Sequence, residues 1–546
     1  MTRPFRPTLV TLAVACTVAA GTAIAQLGPG ASPDRRFTVL HVDIQDRDAS
    51  DGNVGSERAP LRTVGEAAGR ALANRRTGQA TRVAIHPGVY REAVTLQGSG
   101  ASRPEPAIVF EGTGPGEVVL SGSERWTGWT EDGGSGLYRH PMTVDPGLAP
   151  LPGGWDEVRD EIDPVLLRGE AVFVDGRLYR QVLSRPALEA EPGRFYVDDR
   201  ASPSWLWLHL PHGVRPDVAD IEVAVRPSVI DLNGVGQIEL RHLTVRHAAS
   251  QLQDPAVRID RGSNLLIEDV RVEWNSWNGI GLFNVQDATL RRVTMNHNGA
   301  GGLNVFTATD LVLEDVDASY NNWRGAWAGF LGWATGQKLF HVHGARFLRY
   351  RAVGNQATGL WFDTDATDIV VDQAQIAENV TRGLYIEAIQ GPLTIRNSAI
   401  RDNGETGIFA TSAANVTLEG NIITGNHDHQ IFLPWMADHH VVRAITDSRS
   451  GRSRDIRTEA WTLTGNTIGT RGDALLFSVG MWPQFLRTLR AGGNRWFRGG
   501  GPDGFGVYYT MHAPVGRLTL LEWQRLTRQE LDSTFASTPP RGTFDE

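Results

Sequence analysis

Three carboxylic acids stand at regular positions in the stretch 357–388, ATGLWFDTDATDIVVDQAQIAENVTRGLYIEA. Asp363 and Asp365 lie two residues apart in an apolar, strand-like run, and Glu387 occupies the matching place in a second run. Side chains of a strand alternate between its two faces, so acids two residues apart share a face. Like charges on neighbouring strands destabilise a sheet, so acids placed this way indicate a site that uses them. Such carboxyl groups can act as acid, base or nucleophile.

The glycine that opens each run gives the register of these acids. Asp363 lies four residues after Gly359. Glu387 lies four residues after Gly383. The two acids are therefore predicted to occupy one column on adjacent strands, with backbones about 4.8 Å apart. Asp365 is predicted one outward position farther along, roughly 8 Å from Glu387 on the diagonal. Acids this close cannot all ionise normally, so we expect one to keep its proton near neutral pH.

Lys338, the single lysine of the chain, is predicted to face the same patch. It is the second residue after the glycine that opens the run GQKLFHVHG, which is the column that Trp361 occupies one coil later. We therefore expect its ammonium group beside Asp363, where a positive charge would favour an ionised carboxylate or bind a ligand hydroxyl. His341 and His343 on the same run are predicted to be hydrogen-bonded polar side chains rather than metal ligands.

Aromatic residues surround these columns and could stack on the flat, apolar face of a ligand. The segment 322–336 is an insertion in the repeat, and it emerges one coil before the acids. Besides Lys338, the residues predicted to bind a ligand are Trp327, Trp333, Trp361, Tyr385, Phe409 and Trp435. The alternative for the inserted tryptophans is an apolar plug over the edge of the coil.

A repeat near 23 residues long predicts the elements that position these side chains. Asparagine recurs at seven positions, and a glycine follows four residues after each of the first six. The asparagines are Asn275, Asn298, Asn321, Asn355, Asn379, Asn403 and Asn426. Each repeat holds two or three very short strands and no helical pattern, which is typical of an all-β parallel β-helix whose coils stack. The asparagines are predicted to form a ladder in one turn that satisfies backbone groups.

The sequence patterns on either side of these repeats predict the organisation of the rest of the chain. Residues 26–126 are interpreted as an N-terminal cap and first coils, with a short amphipathic helix. Alternating strands and turns over 127–226 predict an inserted β-sandwich. The main coils with the acidic face cover 227–436. Final coils, a polar loop and a tail with one helix cover 437–546.

The first residues have the pattern of a secretory signal peptide over 1–25. Arg3 and Arg6 precede an apolar run that ends in a small-residue cleavage site at Ala25, which predicts a secreted or periplasmic protein. Cys16 is the only cysteine and lies inside this segment, so the mature chain has no disulfide. Lipoprotein-type cleavage before Cys16 is the alternative, and it is disfavoured because the apolar run continues past that residue.

Charge and hydropathy exclude several kinds of partner. The formal net charge of −9 argues against nucleic acid. No stretch after the signal sequence is long and apolar enough to cross a bilayer, so no membrane partner is expected. The oligomeric state is left open.

Several motifs together resemble a known group. They are DGN followed by APLRTV, then PGVYREAV, VVLSGSERWTGW, FYVDD with LWLHLP, and GLWFDTD with GLYIEA. Over nearly the whole mature chain, these resemble secreted right-handed parallel β-helix proteins of the pectate-lyase-like superfamily, related to glycoside hydrolase families 120 and 141. The resemblance implies a right-handed β-helix with an inserted β-sandwich. It also implies a carbohydrate substrate, xylan- or fucose-glycan-like, cleaved by two carboxylates on neighbouring coils.

The predicted spacings distinguish two mechanisms for such an enzyme. Retaining glycosidases hold their carboxyl groups about 5–5.5 Å apart, and inverting ones about 6.5–9.5 Å apart. The pair Asp363 and Glu387 therefore suits retention, which we favour, and the pair Asp365 and Glu387 suits inversion. Asp363 is the predicted nucleophile, or the base of an inverting enzyme. Glu387 is the predicted acid/base, and Asp365 is its second partner or substitute.

Two other functions stay open for a fold that also carries lyases and epimerases. In a polysaccharide lyase, Lys338 would remove a proton from a uronate while the acids bind Ca²⁺, the one cofactor considered. In a non-catalytic glycan-binding protein, the acids would each pair separately and leave no pocket between them.

Overall fold

The computed structural model describes residues 37–540 and 543 except 101–104, 134–135, 145–146, 150, 152–159, 161, 326–336, 435–442, 481 and 509–513. The predicted signal peptide over 1–25 lies outside these residues. Short strands form most of the regular structure, and most of them pair in parallel. No helix in the described part of the chain is both long and apolar enough to cross a membrane.

Three faces of stacked parallel strands form the body of the molecule, and successive coils add strands to each face. The first face contains Val94–Gln97, Ile230–Asn233, Pro255–Asp260, Leu360–Asp363, Leu384–Ile389, His429–Leu433, Leu475–Gly480 and Phe505–Tyr508. The second face contains Thr38–Val42, Thr81–Ile85, Ile108–Gly112, Gly236–Arg241, Ser263–Glu268, Thr367–Asp372, Leu393–Arg396, Glu459–Thr464 and Arg490–Gly492.

Four long strands bend from the first face into the second, and a third face closes the coil. The long strands are Asn278–Arg291, Leu303–Glu314, Gln337–Leu348 and Thr406–Glu419. The third face contains Gly88–Tyr90, Val118–Ser121, Thr244–Arg246, Arg271–Glu273, Arg351–Val353, Gln375–Ala377, Ala399–Arg401, Ile422–Thr424, Thr467–Thr470, Arg495–Arg498 and Thr534–Ala536. The predicted all-β, right-handed parallel β-helix is confirmed.

Alternation along each strand builds the core. Leu360 and Phe362 point inward and pair in register with Leu384 and Ile386 of the next coil. All four side chains are fully buried, and they belong to one apolar cluster that runs through the coils. Each coil alone has too little apolar surface to bury, so stacking supplies the stability of the solenoid.

The asparagine ladder lies in the turn between the third and first faces. Asn355 Nδ2 donates to Asn379 Oδ1 at 2.9 Å, and Asn379 Nδ2 donates to Asn403 Oδ1 at the same distance. Each asparagine also accepts from the backbone N–H one coil earlier, so the predicted ladder is confirmed. The glycine that follows is needed for space, since a Cβ on Gly383 would lie 2.6 Å from Asn403 Nδ2.

Two smaller sheets interrupt the helix between Val118–Ser121 and Ile230–Asn233. One contains Ser123–Arg125, Val172–Val174, Arg177–Leu178 and Ile221–Ala224. The other contains Thr130–Glu131, Leu137–Pro141, Arg180–Val182, Arg194–Asp198 and Trp205–His209. Residues of both sheets share an apolar cluster, while the boundaries of a separate β-sandwich over 127–226 stay a prediction.

Helices and one hairpin complete the described structure. The helices are Val64–Arg76, Arg185–Glu189, Trp482–Phe485 and Leu520–Thr527, with a 3₁₀ turn at Pro164–Leu167. The first and last of these helices confirm the two that the sequence predicts. The hairpin Arg443–Thr446 and Ser453–Ile456 lies in the predicted polar loop, and the antiparallel strand Pro514–Leu518 pairs with the last strand of the first face.

Candidate active site

Two carboxylates occupy one column on adjacent strands of the first face. Asp363 and Glu387 pair directly in the parallel register, as the glycine count predicts. Adjacent strands are separated by about 4.8 Å, so both side chains leave the backbone at closely spaced points. Asp363 is 4% exposed, and its Oδ1 accepts a hydrogen bond of 2.8 Å from the Thr364 hydroxyl. Glu387 is half-buried beside it.

Lys338 lies against this pair in the predicted place. It pairs in register with Trp361, and its Nζ is 2.9 Å from Asp363 Oδ2. The ammonium group also lies 3.9 Å from the centroid of the Trp361 ring, which is a cation–π distance. Lys338, Asp363 and Glu387 thus lie on three consecutive coils: Lys338 forms an ion pair with Asp363, and Asp363 pairs in register with Glu387.

Asp365 does not continue the strand that carries Asp363, and the prediction that it is the next outward residue is wrong. The strand ends at Asp363, and Thr364 and Asp365 adopt positive φ angles of 27° and 62°. The chain turns there toward the second face, so the alternation of side chains stops. Asp365 is fully buried in this corner rather than displayed on the outward surface.

The Asp365 carboxylate is held by donors from three other parts of the chain. Its Oδ2 lies 3.3 Å from His341 Nδ1 and 3.2 Å from His343 Nε2, and it accepts a 2.7 Å hydrogen bond from the Ser448 amide. Its Oδ1 accepts a 2.9 Å hydrogen bond from Gln390 Nε2. Burial alone would raise the pKa of Asp365, but these hydrogen bonds outweigh burial and lower its pKa.

These contacts make Asp365 an anchor for the hairpin over 443–456. Ser448 is in the turn of this hairpin, and its hydroxyl is 2.8 Å from His343 Nε2, while His343 Nδ1 is 3.0 Å from Thr367 Oγ1. The hydrogen-bonded state predicted for His343 is confirmed. Because Asp365 is fully buried in the corner beyond the strand, it is poorly placed to serve as a second partner of Glu387.

A Ca²⁺ site built from the three acids is not supported by this arrangement. Ca²⁺ takes about 6–8 oxygen ligands, and Asp365 directs its oxygens at nitrogen donors while Asp363 pairs with Lys338. Within the described ranges, no group of three or more His, Cys, Asp and Glu side chains is arranged to hold a metal ion.

The aromatic column of the first face is real, but its rings cover one another. Trp361, Tyr385 and Phe409 pair in register on successive coils and are 1%, 8% and 8% exposed. Trp361 and Tyr385 stack with ring centroids 4.5 Å apart, and Arg382 lies over the Tyr385 and Phe409 rings. The column is therefore not an exposed strip. Direct contact of these three rings with a ligand stays a prediction.

The other predicted aromatic residues fall outside the described residues. These are Trp327, Trp333 and Trp435. Their proposed contacts with a ligand stay predictions.

Three phenylalanines that sequence reasoning missed continue the acid column. Phe283, Phe306 and Phe340 pair in register, and Phe340 pairs in turn with Asp363. Each lies four residues after the glycine of its coil, so the count that located the acids could have found them. With Lys338, which pairs with Asp363, they line a cavity of about 260 Å³.

Comparison with known proteins establishes the fold that carries this geometry. Residues 228–439 match the family described as "Right handed beta helix region". The chain is a right-handed parallel β-helix protein. The right-handed β-helix fold that the resemblance implies is thereby confirmed. Comparison with curated protein sequences finds no significant match.

Solved structures give the same result at low sequence identity. The complex of XylC with xylose has a TM-score of 0.69 at 15% identity, covering 91% of this chain and 86% of that chain. A structure described as a glycoside hydrolase has a TM-score of 0.51 at 12% identity, covering 85% of this chain and 97% of that chain. The A-module of mannuronan C-5 epimerase AlgE4 from Azotobacter vinelandii covers 91% and 100% at 14% identity, with a TM-score of only 0.44. The likeness to the first two structures shows the fold alone.

Proposed function

We propose that the chain is a secreted glycoside hydrolase that cleaves a polysaccharide or oligosaccharide, with Asp363 and Glu387 as its catalytic carboxylates. The observation that carries this proposal is the direct parallel pairing of these two acids on the outward side of the first face. The ion pair between Lys338 and Asp363 places a positive charge at Asp363, which is buried, while Glu387 is half-buried. Two acids in unlike environments are what a nucleophile and an acid/base require.

The two environments assign the roles. Asp363 accepts from both the Lys338 ammonium and the Thr364 hydroxyl, which suits a carboxylate that attacks the anomeric carbon. Glu387 is more exposed, which suits an acid that protonates the leaving oxygen and then takes a proton from water. Attack by Asp363 would form a glycosyl ester, and water would then displace the carboxylate.

This assignment predicts retention of configuration at the anomeric carbon. One strand spacing of about 4.8 Å separates the two backbones, close to the separation of about 5–5.5 Å between carboxyl groups in retaining enzymes. Proton NMR of the first-formed product should show the same anomer as the substrate before mutarotation. The opposite anomer would overturn the nucleophile assignment and give Asp363 the role of a base.

The contacts of Lys338 favour hydrolysis over elimination. A lyase base needs a lone pair to remove a proton. An ammonium group in an ion pair with a carboxylate offers none, and Lys338 makes this pair at 2.9 Å. We therefore favour a hydrolase, and lyase activity on a uronate is the alternative that the substrate screen can detect.

The test is a screen of the purified mature chain against polysaccharides and aryl glycosides. Xylans, xylosides and fucosides belong in the panel because of the family resemblance and because the similar XylC structure contains xylose. Products are measured as new reducing ends and, in parallel, as near-ultraviolet absorbance of unsaturated uronates, with and without a chelator. We expect reducing ends without absorbance and no effect of the chelator. Absorbance that the chelator abolishes would identify a lyase instead.

A further inference from the structure

We propose that the cavity beside Lys338 is a subsite for one neutral pyranose ring, which stacks its apolar face on Phe306. The inference rests on the proposed function, because it names the sugar class that binds near the cleaved bond. Phe306 pairs in register with Phe340, and Phe340 pairs with Asp363, so a ring held on Phe306 lies two strands from the proposed nucleophile.

The cavity lies where one side-chain column becomes smaller along the helix. The column that contains Trp361 continues to Lys338 and then Asn304. Trp361 fills its place by stacking on Tyr385, whereas Lys338 and Asn304 line a space of about 260 Å³. At the next position, Gly281, the Phe283 ring and Pro255 fill the space instead, and a Cβ would meet them at 2.7 Å and 2.6 Å. Pockets for drug-sized ligands measure about 300–1,000 Å³, so this space suits a single ring.

One wall of the cavity is aromatic. Phe306 and Phe340 stack on each other, with ring centroids 5.1 Å apart and an interplanar angle of 10°, so one ligand ring can lie flat on only one of them. Phe306 is the candidate, because it is 50% exposed. The C–H face of a pyranose is a suitable partner for this ring because it is flat and apolar.

Besides Lys338, three neutral amide side chains line the cavity. Gln253, Asn278 and Asn304 line the cavity together with the phenylalanines. Asn278 is partly used, since its Nδ2 donates to the Gln253 carbonyl oxygen and its Oδ1 accepts from the Gly301 amide. Amide side chains both donate and accept, which matches the hydroxyl groups of a sugar.

The cations near the cavity are already engaged by acids, which argues against a uronate. Lys338 is the one cation among the lining residues, and it pairs with Asp363. Arg258 lies over the Phe283 ring at 4.7 Å, and its guanidinium is 3.7 Å from Asp260. A sugar carboxylate would have to compete with these acids in a chain of net charge −9. Recognition of a neutral ring needs no such exchange.

The test measures binding, separately from turnover, with ligands that differ only in the group on C5. Methyl β-xyloside, methyl β-glucoside and methyl β-glucuronoside share their stereochemistry at C1–C4 and carry hydrogen, hydroxymethyl and carboxylate at C5. Each is titrated into the full mature chain with the substitution Glu387→Gln, which blocks turnover, and binding is followed by saturation-transfer NMR. Phe306→Ala removes part of the wall. Tyr320→Ala is the matched control, because Tyr320 is a 44% exposed aromatic residue that does not line the cavity.

We expect at least one neutral glycoside to bind and the glucuronoside to bind more weakly than its neutral counterparts. Phe306→Ala should weaken binding by about 3- to 10-fold, while Tyr320→Ala should leave it unchanged. Stronger binding of the glucuronoside, no binding of any glycoside, or equal effects of the two substitutions would each overturn the subsite. Failure of the proposed function would look different, because neutral glycosides would bind but the unsubstituted chain would release no reducing ends.

Discussion

Asp365 is held by four hydrogen-bonding groups, although it lies only two residues from the proposed nucleophile. His341, His343, the Ser448 amide and Gln390 surround its carboxylate. We infer that it positions the hairpin over 443–456 beside the site rather than taking part in the reaction.

Replacing Asp365 by Asn should therefore destabilise the protein. The substitution removes the buried negative charge that the surrounding hydrogen-bond donors stabilise. It also places an amide NH₂ group opposite one of those donors. We therefore expect the free energy of unfolding to fall by about 2–4 kcal/mol at pH 7. Asp368→Asn, a substitution at a nearby exposed position, should change it by less than about 0.5 kcal/mol. Denaturant titrations of both variants measure this difference, and equal stabilities would contradict the anchoring role.

The difference in unfolding free energy between the original chain and Asp365→Asn should depend on pH. The pKa of Asp365 is lowered in the folded chain, so its stabilising effect is complete above the unfolded pKa of about 3.9. The effect is lost as the pH falls through the folded value. The stability gap between the original chain and Asp365→Asn should therefore narrow below about pH 4, as followed by unfolding curves. A gap that widens there would contradict the lowered pKa.

At the scale of the element, the turn between the third and first faces sets the height of each strand on the first face. Its asparagines bridge adjacent coils, and its glycines let those coils approach. This turn keeps Asp363 level with Glu387.

Gly383→Ala tests this close packing. A Cβ at Gly383 would lie 2.6 Å from Asn403 Nδ2 and 2.8 Å from the Gly407 carbonyl oxygen, so the coil must shift, and we expect a loss of about 1–3 kcal/mol in unfolding free energy. Gly69→Ala is the control: a Cβ there meets nothing within 4 Å in a helix, and it should stabilise by about 0.5–1 kcal/mol. If both substitutions had the same effect on denaturant midpoints, the tight turn would not be needed.

The repeat explains which part of the site could be predicted from sequence. Asp363, Glu387 and Lys338 were located correctly because their positions depend only on counting from a glycine along a strand. Asp365 was misplaced because the strand ends at a corner formed by non-glycine residues with positive φ, and neither glycine nor proline marks it. The Ser448 contact joins residues 83 apart, and no local pattern encodes it.

At the scale of the whole molecule, Arg324 connects the β-helix with the inserted sheets. Its guanidinium donates to the Ser276 carbonyl oxygen in the helix and to the Val165 and Glu170 carbonyl oxygens in the inserted region. Burial lowers the pKa of Arg324 to about 10, with Glu170 opposing that shift. The Arg324 side chain thus links the β-helix to the inserted region.

Arg324→Ala should loosen the inserted region more than the coils. Two carbonyl groups of that region lose a charged donor, so hydrogen exchange measured by mass spectrometry should accelerate at about 162–182 while peptides over 375–425 keep their protection. Arg292→Ala, which removes a surface pair with Asp269, is the control and should leave both regions unchanged. Unchanged exchange at 162–182 in Arg324→Ala would show that other contacts hold the inserted sheets.

The proposed cleavage of a glycosidic bond depends on Asp363 and Glu387 together. The turnover of a glycoside found in the substrate screen is measured for Asp363→Asn, Glu387→Gln and Asp368→Asn side by side, with circular dichroism to check the fold. We expect the first two substitutions to lower kcat by at least about 100-fold, with unchanged spectra, and the third to leave kcat within about twofold. Turnover near that of the original chain in both Asp363→Asn and Glu387→Gln would show that these acids are not the catalytic pair.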